Sequence, residues 1–242
     1  MVRTMTASSF RLERPPRAEL TRHVAGVWMQ RTDRTDPLLP DAAVELVWSG
    51  RGLFVRGADT HAHTPGSFPE RTFVGIRFRT GAAARVLGLG GRDLADARVG
   101  VSALWGRAEM ERLESQLSES RPDEAATLLE DVVQGRVREM PDPVVEAVVR
   151  ALSEGRAPVS SLADRLGLSE RQLLRRCVAA LGYGPKTLDR ILRFQRFLAA
   201  ARRRDGCLAE LAAAAGYADQ PHLTRECVRL AGVPPAAVLA RP

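Results

Sequence analysis

Lysine is almost missing from this sequence. Lys186 is the only one, and arginine supplies the rest of the 36 basic residues. So complete a skew belongs to the overall composition, so individual arginines are not each read as chosen phosphate ligands. Cysteine is scarce and odd in number: Cys177, Cys207 and Cys227 show no CxxC spacing. That disfavours a disulfide framework or zinc knuckle and points to a reducing cytoplasm. No apolar run approaches the ~20 residues of a membrane span, and the longest, Leu208–Ala218, contains Glu210. Met1–Arg11 has no apolar stretch and does not read as a signal peptide. A nucleophile elbow, a P-loop and a dinucleotide fingerprint are all absent; Gly88–Gly91 is glycine-rich but lacks a strand–loop–helix context. The expectation is therefore a cytoplasmic protein that is not an enzyme, with no catalytic residue, no cofactor, no metal and no membrane partner.

What is present fits a globular chain of one or two domains. It has 242 residues, 45% hydrophobic and 27% charged, enough for a core without staples. The net charge of +7 is unevenly spread. Residues 156–242 carry 15 Lys/Arg against 7 Asp/Glu, whereas residues 1–155 carry 21 against 22. A basic final third behind a neutral body suggests a module for nucleic acid or another anionic surface.

Residues 1–155 read as a sheet domain with trailing helices, strands falling within 20–80 and helices within 81–153. Strands are expected at Thr21–Met29, Val44–Trp48, Gly52–Arg56 and Thr72–Phe78. The last alternates Phe73, Gly75 and Arg77 against Val74, Ile76 and Phe78. Asp59–Pro69 is punctuated as a loop. Helices are expected at Ala82–Leu87, Ala108–Ser118, Asp123–Val133 and Val144–Leu152, the last two opened by proline. Glu154-Gly155-Arg156-Ala157-Pro158 reads as a linker or tight turn.

The last third repeats itself. Leu162-Ala163-Asp164-Arg165-Leu166-Gly167, Ser169, Leu173–Val178, Gly182 and Pro185 recur as Leu211–Gly216, Asp219, Leu223–Val228, Gly232 and Pro235. Each copy is a short apolar helix ending at a glycine, then Ser169 or Asp219 as the cap of a second helix. That is a helix-turn-helix, expected at 160–182 and 208–232. Leu173, Leu174, Cys177 and Leu181 face inward in the first copy, and Leu223, Cys227 and Leu230 in the second. Between the copies, Pro185–Arg204 has no internal glycine or proline and reads as one connecting helix of ~30 Å. This is close to the ~34 Å between successive major grooves on one face of DNA.

These residues resemble the arabinose-regulator (AraC/XylS) family of bacterial transcription factors over Val159–Val238. The most specific stretch is Ala214–Cys227, followed by the closing turn Gly232-Val233-Pro234-Pro235. Cys177 and Cys227 depart from the family's core phenylalanine, and Val178 and Val228 from its lysine. Residues Leu39–Trp48, Val74–Ala83 and Leu104–Gly106 are similar to an N-terminal domain seen in actinobacterial regulators. Ala42 stands there for an expected glycine and Thr80 for an expected proline. The resemblance implies an α+β chain: a small cupin-like antiparallel sheet domain with trailing helices, followed by an all-α double helix-turn-helix domain over 156–242. It also implies a sequence-specific regulator. Its partners would be double-stranded operator DNA, a small-molecule effector, a second copy in a homodimer, and RNA polymerase for an activator.

Arg171, Gln172, Arg175 and Arg176 in the first unit, and Gln220, His222, Thr224 and Arg225 in the second, are the expected DNA-facing residues. Arginine suits guanine O6/N7, and glutamine suits adenine. Arg176, Arg193, Arg196 and Lys186 would either meet phosphates or solvate the connector. Glu45, Trp48 and Arg77 are the candidate effector ligands, although a carboxylate among strand hydrophobics also reads as a structural ion pair. The alternative is a metal-binding or enzymatic N-terminal domain targeted to DNA. It would rest on His61 and His63 with His23 or Glu45 as a third ligand, but a Pro/Gly loop with no cluster of acids nearby favours plain loop histidines. Cys177 and Cys227 read as small core hydrophobes.

Overall fold

The computed structural model describes residues 2–6, 9–33, 36–66, 69, 71–155, 157–203 and 206–240. Arg156 in the expected linker, Ser67 and Phe68 in the expected loop, and Arg204 at the expected connector end lie outside the described residues.

The N-terminal part is one antiparallel sheet of seven strands: β1 (Val2–Thr6), β2 (Ser9–Arg14), β3 (Val24–Thr32), β4 (Val44–Trp48), β5 (Leu53–Gly57), β6 (Arg71–Phe78) and β7 (Arg98–Gly100). Their order is β1-β2-β3-β6-β4-β5-β7. No pairing joins β1 to β7 among the described residues, so the sheet is open rather than a closed barrel. Strands thus begin earlier than residue 20, and one lies inside the region expected to be helical. The β1–β2 hairpin extends the sheet at one edge, and the three-residue β7 at the other. Such short edge segments carry little periodicity to read.

Period-two alternation gives the sheet two faces. Val27, Leu46, Val55, Val74, Ile76 and Phe78 form the inner face, all buried. Helix α5 (Pro122–Arg136) lies on β3 and β6 there and contributes Ala125, Ala126, Leu129 and Val133. Glu130 of α5 is buried and ties β2 down: Arg14 donates to its carboxylate at 2.6 Å and the Arg17 amide at 2.8 Å.

The remaining helices run α1 (Ala83–Leu87), α2 (Gly91–Leu94), α3 (Ser102–Trp105), α4 (Arg107–Glu119) and α6 (Pro143–Ser153). They continue through α7 (Leu162–Arg165), α8 (Glu170–Leu181), α9 (Pro185–Ala201), α10 (Leu208–Ala215), α11 (Gln220–Ala231) and α12 (Pro235–Leu239). The connecting helix α9 has 17 residues, hence about 26 Å at 1.5 Å per residue. It is buried on more sides than one stripe requires, because Phe194 and Phe197 join Leu188, Ile191 and Leu198 in the core. It is the hub of its domain, contacting α6, α8, α10 and α11.

The expected linker does not separate two bodies. Helix α8 packs on α1, α2 and α6. Two glycines set how closely: Gly182, with φ +85°, caps α8, and a Cβ there would lie 2.3 Å from the Gly91 carbonyl oxygen. A Cβ on Gly91 would equally meet the Val178 carbonyl at 2.6 Å. Across the same interface Arg176 donates to Asp142 at 2.8 Å. Asp142 also caps α6 by accepting from the Val144 amide. Burial pushes the Asp142 carboxyl up, but the Arg176 hydrogen bond and the Val144 amide outweigh it and hold it below the ordinary aspartate range.

Two outcomes follow from this interface. Gly182→Ala combines a left-handed conformation, costing ~1–2 kcal/mol, with an overpacked backbone contact of ~1–3 kcal/mol. Denaturant unfolding is expected to register a loss of roughly 2–4 kcal/mol; a change within experimental error would contradict the close approach. For Asp142 the folded pKa lies below the unfolded value of ~3.9. Its ionised form therefore stabilises the fold fully above that value, and the contribution disappears as pH falls through the folded pKa. Asp142→Asn, which keeps an N-cap, is expected to be less stable than the parent at pH 7, with the gap closing below about pH 4.

Candidate nucleic-acid interface

Both helix-turn-helix units are built by local chemistry. In the first, α7 gives way to a bend in which Gly167 takes φ +64°. The Ser169 hydroxyl then accepts from the Gln172 amide at 3.2 Å, while Gln172 Oε1 accepts from the Ser169 amide at 2.9 Å. In the second, α10 ends at Gly216 with φ +88°, and Asp219 accepts from the His222 amide at 2.6 Å. Leu173, Cys177 and Leu181 are buried in α8, as are Leu223, Cys227 and Leu230 in α11. Burial pushes the Cys177 thiol up to about 11 and the Cys227 thiol up to about 12, so neither is a reactive thiolate at neutral pH.

Leu174, expected inside, is 48% exposed. It lies on the flank of α8 and reaches toward Gly184, where a Cβ would come within 2.7 Å of its methyl. At 100° per residue, the face opposite the buried row of α8 holds Arg171, Gln172, Arg175 and Ala179. The matching face of α11 holds Pro221, His222, Arg225 and Arg229.

The eight candidate DNA-facing residues divide by what they already hold. Arg171, Arg175, Gln220 and Arg225 are exposed, and their side chains are not engaged by other described residues. Gln172 is exposed but commits its Oε1 to the cap, leaving its amide NH2 outward. Arg176 is turned toward the N-terminal domain by Asp142. His222 accepts from the Ala218 amide through Nδ1 and meets Tyr217 edge-on. Thr224 donates back to the Gln220 carbonyl. Val228, 47% exposed, is an outward residue that the sequence reading passed over except as a missing lysine. Its position three residues after Arg225 on the same helix was the available signal.

The connector arginines are engaged within the protein and bind the domain together. Arg190 pairs with Glu226 of α11 at 2.9 Å, and Arg193 pairs with Asp189 and lies over the Tyr217 ring. Arg196 donates to the carbonyls of Leu152 and Ala215. Only Lys186 of this group remains exposed.

Of the candidate effector residues, Glu45 and Arg77 are brought together, and Trp48 lies apart on the other face of the sheet. Glu45 is buried on the outer face of the sheet, flanked across the strands by Arg56 and Arg77 and bonded to both. Arg77 also bonds Asp41. Burial pushes the Glu45 carboxyl up, yet Arg56, Arg77 and Arg11 together hold it below its ordinary value. It is a fixed structural anion. Trp48 points to the inner face and lines a different hollow with Ser49 and Leu117. Of the candidate metal ligands, His23 is buried against the Glu139 carbonyl and His61 lies 3.4 Å from Asp96. No group of three or more His, Cys, Asp or Glu suited to a metal occurs among the described residues. No helix among them is long and apolar enough to cross a membrane.

Residues 162–241 match the family model of a helix-turn-helix domain, and residues 12–100 that of a domain of unknown function, DUF6597. No curated protein matches the sequence. Among solved structures the chain is similar to ToxT from Vibrio cholerae O395, at 11% identity and a TM-score of 0.47, covering 86% of this chain and 94% of that one. An apo ToxT variant from strain SCE256 gives 9% identity and a TM-score of 0.48, with 97% of each chain covered. Wild-type ToxT from that strain, bound to an unsaturated fatty acid, gives 10% and 0.47, covering 96% of this chain and 93% of that one. The chain thus carries an AraC-type helix-turn-helix domain behind a DUF6597 domain, and by that domain it is a DNA-binding regulator.

Proposed function

We propose that the protein is a sequence-specific regulator in which one chain reads two half-elements of an operator and the N-terminal domain responds to a small molecule. The observation that carries this reading is the pair of equivalent recognition helices, each capped, each ended by a left-handed glycine, and each turning an arginine row to solvent. Arg171 and Arg175, with the amide of Gln172, read one half-element; Gln220 and Arg225 read the other. Arg176, His222 and Thr224 act indirectly, by fixing the helices that present those side chains. The two units are translated along one chain, so the half-elements stand in direct rather than dyad relation, about 10 base pairs apart.

Selection of bound DNA from a random pool defines the operator. Arg175→Ala is expected to weaken specific binding by ~1–3 kcal/mol and to relax one position of the selected motif. Unchanged affinity and an unchanged motif would remove Arg175 from the contact. A second measurement concerns spacing: five extra base pairs between the half-elements rotate one by about half a turn. Since α9 is packed on four other helices, the displaced element is out of reach, and most specific binding should be lost. Equal affinity for the spaced site would mean that only one unit reads DNA.

A further inference from the structure

The outer face of the sheet holds, beside the Glu45 cluster, a cavity of about 440 Å³. That is within the ~300–1,000 Å³ range of small-molecule sites. Its floor is apolar: Trp28 from β3, Val47 from β4, Phe54 from β5 and Phe73 from β6. The floor is flat because Gly75 has no side chain; a Cβ there would lie 2.4 Å from the Trp28 ring. The Trp28 indole Nε1, a donor only, is buried with no hydrogen-bond partner. Arg56 and Arg98 line the same space and likewise can only donate.

One wall of the cavity is the loop 59–66, and this loop has a second duty. His63 and Pro65 face the cavity. Asp59, at the start of the loop, accepts two bonds from Arg98, at 2.8 and 3.0 Å. Thr60 is pinned to Asp96 through its amide and its hydroxyl, both at 2.7 Å. On its far side the Ala62 amide donates to the Leu230 carbonyl in the last turn of α11, at 2.6 Å. That carbonyl cannot be satisfied within the helix, because the residue four places on is Pro234, which has no N–H. In the first unit the corresponding place is held by Gly184, which keeps its N–H.

We propose that the cavity binds an apolar, ring-bearing molecule with an acceptor oxygen, and that its occupancy is transmitted to the second helix-turn-helix unit through the loop 59–66. An acceptor oxygen that reaches Arg98 competes with Asp59 for the same N–H donors and loosens the anchor of the loop. Ligand bulk bears on His63 and Pro65. Both effects act on the segment that caps α11, so ligand binding and the setting of that recognition helix are linked, and linkage is reciprocal. The consequence for operator binding rests on the regulator reading; the site and the linkage do not, and they are testable without DNA.

The test uses the full chain and anilinonaphthalene sulfonate, an apolar fused ring with sulfonate oxygens. Saturable binding is expected, weakened by ~10-fold or more in Gln30→Trp, which fills the cavity from β3. In the parent protein, saturation should speed amide exchange at Ala62 and in the last turn of α11 by ~3-fold or more. Ala62→Pro removes the donor to Leu230; it should keep probe affinity within ~2-fold and lose the exchange response at α11. Thr60→Val is the milder companion should the proline variant fail to fold; by weakening the loop anchor it should raise exchange at α11 before any probe is added. Binding that is absent, or indifferent to Gln30→Trp, overturns the site. Binding at the site with unchanged exchange in α11 overturns the linkage. Failure of the regulator reading would appear separately, as no selected DNA motif.

Discussion

The backbone contact between Gly91 and Gly182 governs the arrangement of the whole chain. Helix α8 has to be two things at once: a recognition helix open to solvent and a packing partner for the helices that trail the sheet. A helix has room for both only if its faces are kept apart. Leu173, Cys177 and Leu181 bury one side, Arg176 and Ala180 turn toward α6 and Gly81, and Arg171 and Arg175 are left opposite the core. Any residue larger than glycine at 91 or 182 would push α8 away from α2 and swing its outer face with it. The position of the first exposed arginine row is therefore set by the N-terminal domain as much as by its own helix-turn-helix.

The two units differ in how they are held. The first is clamped by α1, α2 and α6 and by the Arg176–Asp142 bond. The second is tied to α9 through Arg190–Glu226 and Arg193 over Tyr217, and to the N-terminal domain through Ala62 and Leu230. The connector arginines are what make α9 stiff, since each joins it to another part of the domain. A rotation of the second unit relative to the first would break those bonds in turn, and at its last turn α11 is also held by its buried Leu230 and Ala231 and by the Ala62 contact. Among the described residues, the second unit thus meets the sheet domain through a single backbone hydrogen bond at the end of α11.

The helical third was legible because its signals are local. Ser169 with Gln172, Asp219 before Pro221, and glycines at 167, 182, 216 and 232 specify caps and left-handed turns within a few residues. The repeat doubled each of these signals. Ala42 was legible in another way: it occupies a position where glycine was expected, and it takes φ +60° there. The sheet was legible where strands alternate strongly, as in Arg71–Phe78, and illegible at its edges. Side-chain roles were harder. Nothing local says that Arg176 meets Asp142, 34 residues earlier, or that Arg196 bonds two carbonyls. With almost every cation an arginine, residue type could not separate structural cations from ligand-facing ones, and only packing does.

Glu45 illustrates what the outer sheet face does with charge. A lone carboxylate there would be costly, and the flanking arginines keep it ionised in place. That arrangement also explains why the neighbouring cavity is rich in donors. Arg56 is shared between Glu45 and the cavity lining, and Arg98 between Asp59 and the cavity lining. Neither arginine is idle, so a ligand's oxygen atoms gain only what the carboxylates give up. An exchange of this kind is nearly balanced in energy and displaces a partner, which distinguishes a responsive site from one built simply for tight binding. Asp59 differs from Glu45 in the one respect that matters: Glu45 is fixed in a strand with arginines on both sides, while Asp59 begins the loop that reaches α11. Of the two carboxylates, it is the one whose release can move something.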